Sequence, residues 1–273
     1  MTLSEAFNYG VYFLSSNGVE EAESKSLCLA CHLAGIKNSE YPLHKNDEII
    51  MKRFADLLWR VKSDEPLQYV IGKWDFYESE FFVGEGVLIP RPETEELTEL
   101  VINKAKTLDK PIIFDLCAGS GCIGISVAKA VLNATVYCIE KSADAFVYLL
   151  KNAEGVSNAK VICGDVFFPP ELPKSDIIVS NPPYIKTEDI ADLQSEVLKE
   201  PEMALDGGAD GLDFYRAICE KWKSYLTPDG SLFFEIGEDQ GVDVSAILND
   251  QGYKNIEIIK DMYGKDRIAR ANI

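Results

Sequence analysis

Apolar residues recur at helical intervals through the first quarter of the chain. Phe7, Val11 and Leu14 share one face; Leu27, Ala30, Cys31 and Ala34 share a second. Ile50, Phe54, Leu57, Leu58 and Val61 make a third stripe, with Asp47 placed to cap the helix that carries it. No alternating pattern interrupts, so residues 1–72 are expected to form a small helical domain. Residues 73–89 change character: Trp74, Phe76, Tyr77, Phe81, Phe82 and Val83 are aromatic or β-branched, and Gly84-Glu85-Gly86 follows, as in a β-hairpin linker. Beyond Pro111, short apolar runs alternate with amphipathic stretches. Strands are expected at 112–116, 134–140, 160–163, 176–180, 231–236, 255–259 and 267–271, and helices at 123–131, 143–153, 212–225 and 240–248. Such alternation implies an α/β fold over 90–273, a doubly wound, mostly parallel seven-stranded sheet with helices on both faces.

Composition narrows the setting. No run of apolar residues is long enough to span a membrane, and Met1-Thr2-Leu3-Ser4-Glu5 lacks the basic-then-apolar pattern of a signal peptide, so a cytoplasmic chain is expected. The 7 cysteines are scattered, several in apolar runs such as those holding Cys138 and Cys163, and read as reduced thiols packed as small hydrophobes. A net charge of −18 works against direct nucleic-acid binding and favours a protein partner with a basic patch. The chain is expected to act as a monomer.

The chemistry concentrates at two strand ends. Asp115-Leu116-Cys117-Ala118-Gly119-Ser120-Gly121-Cys122-Ile123-Gly124 joins a strand to a helix and contains a G-x-G-x-x-G turn, which lets a ligand approach the backbone. Glu140 ends the next strand, where a carboxylate holds ribose hydroxyls. A nicotinamide dinucleotide is one reading of this pattern. Asp115 argues against it, because a carboxylate there would repel a pyrophosphate and attract an ammonium. S-adenosylmethionine has a ribose, an ammonium and a sulfonium without phosphate, and suits Asp115, Glu140 and Asp165 better. Asp165 follows a further strand and is placed to meet an adenine edge, with Val166 against the ring face.

The strand 176–180 runs directly into Asn181-Pro182-Pro183-Tyr184. Two prolines cannot continue a ladder and brace an extended ledge. The lone pair of a planar amide or amine nitrogen is delocalised, so it becomes a useful nucleophile only when its N–H groups meet acceptors and it is held in line with the methyl donor. The Asn181 side-chain oxygen and the Pro182 carbonyl are candidate acceptors, and Tyr184 is a candidate stacking partner. Positioning and fixed dipoles then carry the catalysis. A sulfonium that loses its methyl leaves as a neutral thioether, so no strong base is required.

These motifs sit within a wider likeness. Glu65-Pro66-Leu67-Gln68-Tyr69-Val70-Ile71-Gly72, Leu88-Ile89-Pro90-Arg91-Pro92-Glu93-Thr94-Glu95, the stretch Glu200-Pro201 through Gly211-Leu212, Glu235-Ile236-Gly237 and the ending Asp261 to Arg270 resemble segments of the N5-glutamine methyltransferases of peptide-chain release factors, the PrmC/HemK family. The resemblance runs from about residue 60 to the end and more weakly through the helical start. It implies a class I, Rossmann-like methyltransferase domain. The implied reaction moves a methyl from S-adenosylmethionine to the side-chain amide nitrogen of the glutamine in a release factor's Gly-Gly-Gln motif, leaving S-adenosylhomocysteine. The helical domain is implied to help hold the release factor. Carried over by position, Cys117, Ala118, Gly119, Ser120, Gly121, Glu140 and Asn181 would contact the donor. Asn181, Pro182, Pro183 and Tyr184 would receive the glutamine, and Arg91, Pro92, Glu93 and Thr94 would line the pocket. Two departures stand out: Val166 occupies a place where some members have an aromatic residue, and Cys117-Ala118 replaces a frequent Gly-Thr.

Rival readings remain at this stage. Cys28-Leu29-Ala30-Cys31-His32 spells a haem-attachment pattern, but it also fits the apolar face of a helix. With 2 histidines there is little material for a metal site, and none is expected. An adenine-N6 DNA methyltransferase would share the planar-amine chemistry but would need a basic DNA face. A ribosomal-protein glutamine methyltransferase is nearer. A non-catalytic S-adenosylmethionine-binding adaptor could discard Asn181 and Tyr184, which this chain retains.

Overall fold

The computed structural model describes residues 1–273 as two compact units. One comprises Met1–Lys73 with Gln194–Lys199, the other Trp74–Leu193 with Glu200–Ile273.

The first unit holds α1 (Leu3–Ser16), α2 (Ala22–Ala34), α3 (Tyr41–His44), α4 (Met51–Lys62) and α5 (Leu67–Ile71). Thr2 and Glu5 form a reciprocal capping box at the start of α1. The buried face of α1 is Leu3, Ala6, Gly10 and Leu14, rotated from the Phe7/Val11 stripe that periodicity favours. Gly10 explains the rotation. A side chain there would collide with Ser26 and Phe54, so the bare backbone lets α2 and α4 come close on that side. Asp47 does not cap α4: Ile50 holds the N-cap position, and the Asp47 carboxylate accepts from His44 Nδ1 at 2.7 Å. Phe54, Leu58 and Val61 are the buried stripe of α4, while Ile50 stays exposed. The segment 194–199 joins this unit through an ion pair between the buried Lys25 and Glu196.

The second unit opens with the hairpin β1 (Lys73–Phe76) and β2 (Ser79–Phe82). Phe76 and Phe81 are fully buried in the unit's core, so this stretch is built into the unit rather than strung before it. Next comes α6 (Glu93–Ala105), which was not among the expected elements. Its buried positions, Thr94, Leu97, Thr98, Val101, Ile102 and Ala105, have plain helical spacing.

Then follow β3 (Ile112–Leu116), α7 (Cys122–Ala130), β4 (Thr135–Glu140), α8 (Ala143–Asn152), β5 (Ala159–Cys163), β6 (Ser175–Ser180), α9 (Asp213–Lys221), β7 (Leu226–Glu235), α10 (Gly241–Asp250), β8 (Lys254–Lys260) and β9 (Asp266–Asn272). The strands form one seven-stranded sheet in the order β5-β4-β3-β6-β7-β9-β8. Only β9 runs antiparallel, against β7 and β8. Side chains alternate across the sheet. Ile113 and Val179 join one core layer with Leu97, Val101 and Val127; Phe114 and Ile178 join the other with Tyr215, Trp222 and Leu248. Both layers are fully dry, which is the doubly wound arrangement expected from the alternation of elements.

Two cysteine expectations part. Cys31, Cys138 and Cys219 are buried, but Cys163 at the end of β5 is exposed, because an edge strand has no neighbour to cover it. The Cys28–His32 stretch lies within α2, with Cys31 buried and His32 exposed.

Candidate functional site

Strand order places the site. The chain adds β4 and β5 on one side of β3, then returns to lay β6 on the other, so β3 and β6 flank the switch point where ligands of open α/β sheets bind. Their register pairs Leu116 with Ser180, and Ser180 Oγ donates to the Leu116 carbonyl at 2.7 Å. The next residues on each strand, Cys117 and Asn181, therefore leave the sheet side by side. A cavity opens there, lined by 117–120, 139–142, 164–167, Asn181 and Pro183, together with Leu88–Arg91, Thr94, Met203 and Phe214.

The glycine turn is held in a conformation that most residues avoid. Cys117, Gly119 and Gly121 all have left-handed backbones, with φ of 58°, 56° and 81°. That conformation costs a side-chain-bearing residue roughly 1–2 kcal/mol, a cost incurred at Cys117. Gly121 turns away from the cavity: a side chain there would strike Leu149 and Ile125. Asn152 on α8 ties the turn to the hairpin, donating to the Ser120 carbonyl at 2.9 Å and to Phe82 at 3.0 Å.

Three strands carry a carboxylate at or next to their last residue, and each does different work. Glu140, on β4, faces the cavity and is only 8% exposed. Its oxygens accept from Gly119 N at 2.7 Å and Ser142 N at 2.6 Å. Burial pushes its carboxyl up, and these backbone donors oppose that. Beside it, Asp165 pairs with Lys141 at 3.0 Å, and Val166 is buried with its carbonyl accepting from the Trp222 indole at 2.8 Å.

Asp115, on β3, does not reach the cavity. It is completely buried, and one carboxylate oxygen accepts from Gly124 N at 2.8 Å. Gly124 is the third residue of α7, so Asp115 caps that helix from the preceding strand and puts a carboxylate at the positive end of its dipole. Asp115, expected to meet a ligand ammonium, thus caps α7 with one oxygen, while its Oδ1 has no hydrogen-bond partner within the protein. The cap bears on ligand choice too, since a helix N-terminus already satisfied by a carboxylate is a poor seat for a pyrophosphate.

Burial raises the Asp115 carboxyl from 3.8 to about 7. A folded-state value above the unfolded one means that the folded protein holds the proton more tightly. The resulting stability is present below the unfolded value and is lost as pH rises through about 7. Asp115→Asn should therefore flatten the decline of the thermal midpoint between about pH 5 and about pH 8. Melting curves across that range check it; parallel slopes in variant and parent would refute it.

Glu235, on β7, anchors the ledge. It is 1% exposed, and burial raises its carboxyl from 4.5 to about 7. Thr94 Oγ1 donates to Glu235 Oε2 at 2.6 Å, and Tyr184 OH approaches Oε1 at 3.4 Å. Asn181 Nδ2 donates to Thr94 Oγ1 at 3.3 Å. A continuous polar chain thus runs Asn181–Thr94–Glu235–Tyr184. Gln240 adds a brace, donating to the Tyr184 carbonyl at 2.9 Å. The expected stacking role of Tyr184 is not what the structure displays: its ring packs against the core and its hydroxyl turns to the buried Glu235, so neither it nor Pro182 lines the cavity. Arg91 does line it, paired with the buried Glu200, which also accepts from Ile89 N at 3.0 Å.

The structure therefore gathers Cys117, Ala118, Gly119, Ser120, Glu140, Asp165, Val166, Asn181, Pro183 and Arg91 around one cavity and leaves Asp115, Gly121, Pro182 and Tyr184 outside its lining. Glu200 and Glu235 had no role assigned from sequence. Glu235 carried a legible signal, an acid closing an apolar strand, the same signal that marked Glu140.

Comparison with known proteins follows the same division of the chain. A model for the PrmC N-terminal domain matches residues 5–72, and one for the methyltransferase small domain matches residues 92–211. A release factor glutamine methyltransferase from Thermodesulfovibrio yellowstonii is 39% identical over 88% of this chain and 88% of its own length. Another, from Clostridium acetobutylicum, is 39% identical over 86% of this chain and 84% of its own. Among solved structures, a 16S rRNA methyltransferase of T. Thermophilus in complex with AdoMet and guanosine shares the fold, with a TM-score of 0.52 and 18% identity over 73% of this chain and 49% of its own.

Proposed function

This chain belongs to the release factor glutamine methyltransferases, and from that premise we propose that Asn181 and the ledge it begins receive the glutamine amide of a release factor's Gly-Gly-Gln motif, beside a donor held by 117–120, Glu140, Asp165 and Val166. The observation that supports this most directly is the pairing of Leu116 with Ser180, which makes the glycine turn and the ledge neighbours at the switch point.

The cavity fits the family's cofactor. Glu140 is a cavity-facing carboxylate held by backbone donors, and its remaining lone pairs suit a ribose diol. Asp165 offers a second acceptor, and Val166 an apolar contact. S-adenosylmethionine supplies an electrophilic methyl group on a sulfonium. The chain's own task is to present the amide nitrogen to it. Asn181 Oδ1, on the cavity wall, accepts an amide N–H, which draws electron density toward nitrogen and fixes its direction. Tyr184 holds the ledge through Glu235 instead of stacking on the substrate. Arg91, fixed by Glu200, lines the same cavity.

The helical unit is assigned to holding the release factor. A net charge of −18 suits a partner with a basic patch and supports a reading without direct nucleic-acid contact. No helix is long and apolar enough to cross a membrane, and the reading is of a cytoplasmic monomer.

The test is direct. The protein is incubated with methyl-labelled S-adenosylmethionine and a release factor, and the labelled residue is mapped by mass spectrometry. One methyl on the Gly-Gly-Gln glutamine is expected. Label on a ribosomal protein or on duplex DNA, with none on the release factor, would overturn the reading.

A further inference from the structure

The polar chain behind Asn181 has a direction. Thr94 and Glu235 are 2% and 1% exposed, so no bulk water competes for their hydrogen bonds. A threonine hydroxyl has one proton, and while Glu235 is ionised that proton is committed to Oε2, 2.6 Å away. Only lone pairs then face Asn181, whose nearest atom lies 3.3 Å away. Lone pairs accept from an NH2 group and repel a carbonyl oxygen. The side-chain amide of Asn181 is therefore set with its nitrogen toward Thr94, and its oxygen remains as the acceptor on the cavity that Asn181 lines.

An asparagine amide is nearly symmetric in shape. Without a partner that distinguishes its ends, it can present NH2 to the cavity about as easily as oxygen. Facing a substrate NH2, the first orientation sets donor against donor and cannot assist transfer. We propose that Thr94, held by Glu235, is a positioning residue that fixes which end of the Asn181 amide meets the substrate. The inference rests on the reading of Asn181 as the amide acceptor. It gives the Glu235 strand-end acid and α6 a task in the reaction, although neither touches the reacting atoms.

Full-length Thr94→Val, Thr94→Ala and Thr94→Ser variants test it, assayed with release factor and S-adenosylmethionine. Valine keeps the shape and removes the hydroxyl, alanine guards against a poor fit of valine, and serine restores the hydroxyl. Valine and alanine should lower kcat about tenfold, less than the ~10²-fold cost of an ångström of misplacement. KM for the release factor and calorimetric affinity for the cofactor should stay within about twofold, the pattern of an interaction used in the transition state. Serine should recover most of the rate. Full kcat in valine and alanine, or a loss in serine equal to theirs, overturns the inference. Asn181→Ala in the same assay separates the two ideas. If it is slow while Thr94→Val is fast, only the positioning role falls; if it too is fast, the reading of Asn181 falls with it.

Discussion

Asn181→Ala should slow methyl transfer by ~10²–10³-fold, the scale for losing one preorganised polar group aimed at the reacting atoms, while affinity for S-adenosylmethionine stays within a few-fold. The separation follows from the geometry. The one hydrogen bond that anchors the Asn181 side chain runs to Thr94 and not to the glycine turn or Glu140, so truncation leaves the bonds that hold Glu140 in place. It removes the acceptor that polarises the amide, and an amide nitrogen has little nucleophilicity of its own. Single-turnover rates with a release factor, beside calorimetric titration of the cofactor, measure the two effects separately. Equal turnover in variant and parent would remove Asn181 from the mechanism.

Glu140→Ala should act on the other half of the site and weaken cofactor binding by about 10²-fold. A hydrogen bond to a charged group contributes about 1.5–3 kcal/mol, and each 1.4 kcal/mol is tenfold. The carboxylate is nine-tenths buried, so its bonds are shielded from solvent competition. It also fixes Gly119 N and Ser142 N, so its loss loosens the turn on which the donor rests. Glu140→Gln, which keeps the shape and loses the charge, should fall between. Titration calorimetry decides it; unchanged affinity in the alanine variant would show that the carboxylate does not hold the ribose.

The different fates of the two acids show where sequence reading stops. Asp115 and Glu140 carry a similar local signal, an acid at or next to the end of an apolar strand, and both are expected from sequence to touch the ligand. Residues of the hairpin and α6 tell a similar story. Phe76 and Phe81 read as a linker's aromatic pattern, and only the packed unit shows that they close the core beneath α6. The helical spacing of α6 was present in the chain but was hidden by its Pro-rich, acid-rich start, Arg91-Pro92-Glu93. The rotation of α1 turned on Gly10, whose meaning depends on Ser26 and Phe54 lying opposite.

The amino-acid order by itself determined the kinds of elements, their succession, the glycine turn, the braced ledge and the chemistry that a planar nitrogen demands, because these depend on residue type and local spacing. The tertiary structure alone decided which acid faces the cavity and which caps a helix. Asp115 lies level with Cys138 on the neighbouring strand, while Glu140 is two residues further along the same face. Two residues of strand span about 6–7 Å. That distance separates a carboxylate trapped beneath the first turn of α7 from one that clears the sheet and reaches the cavity.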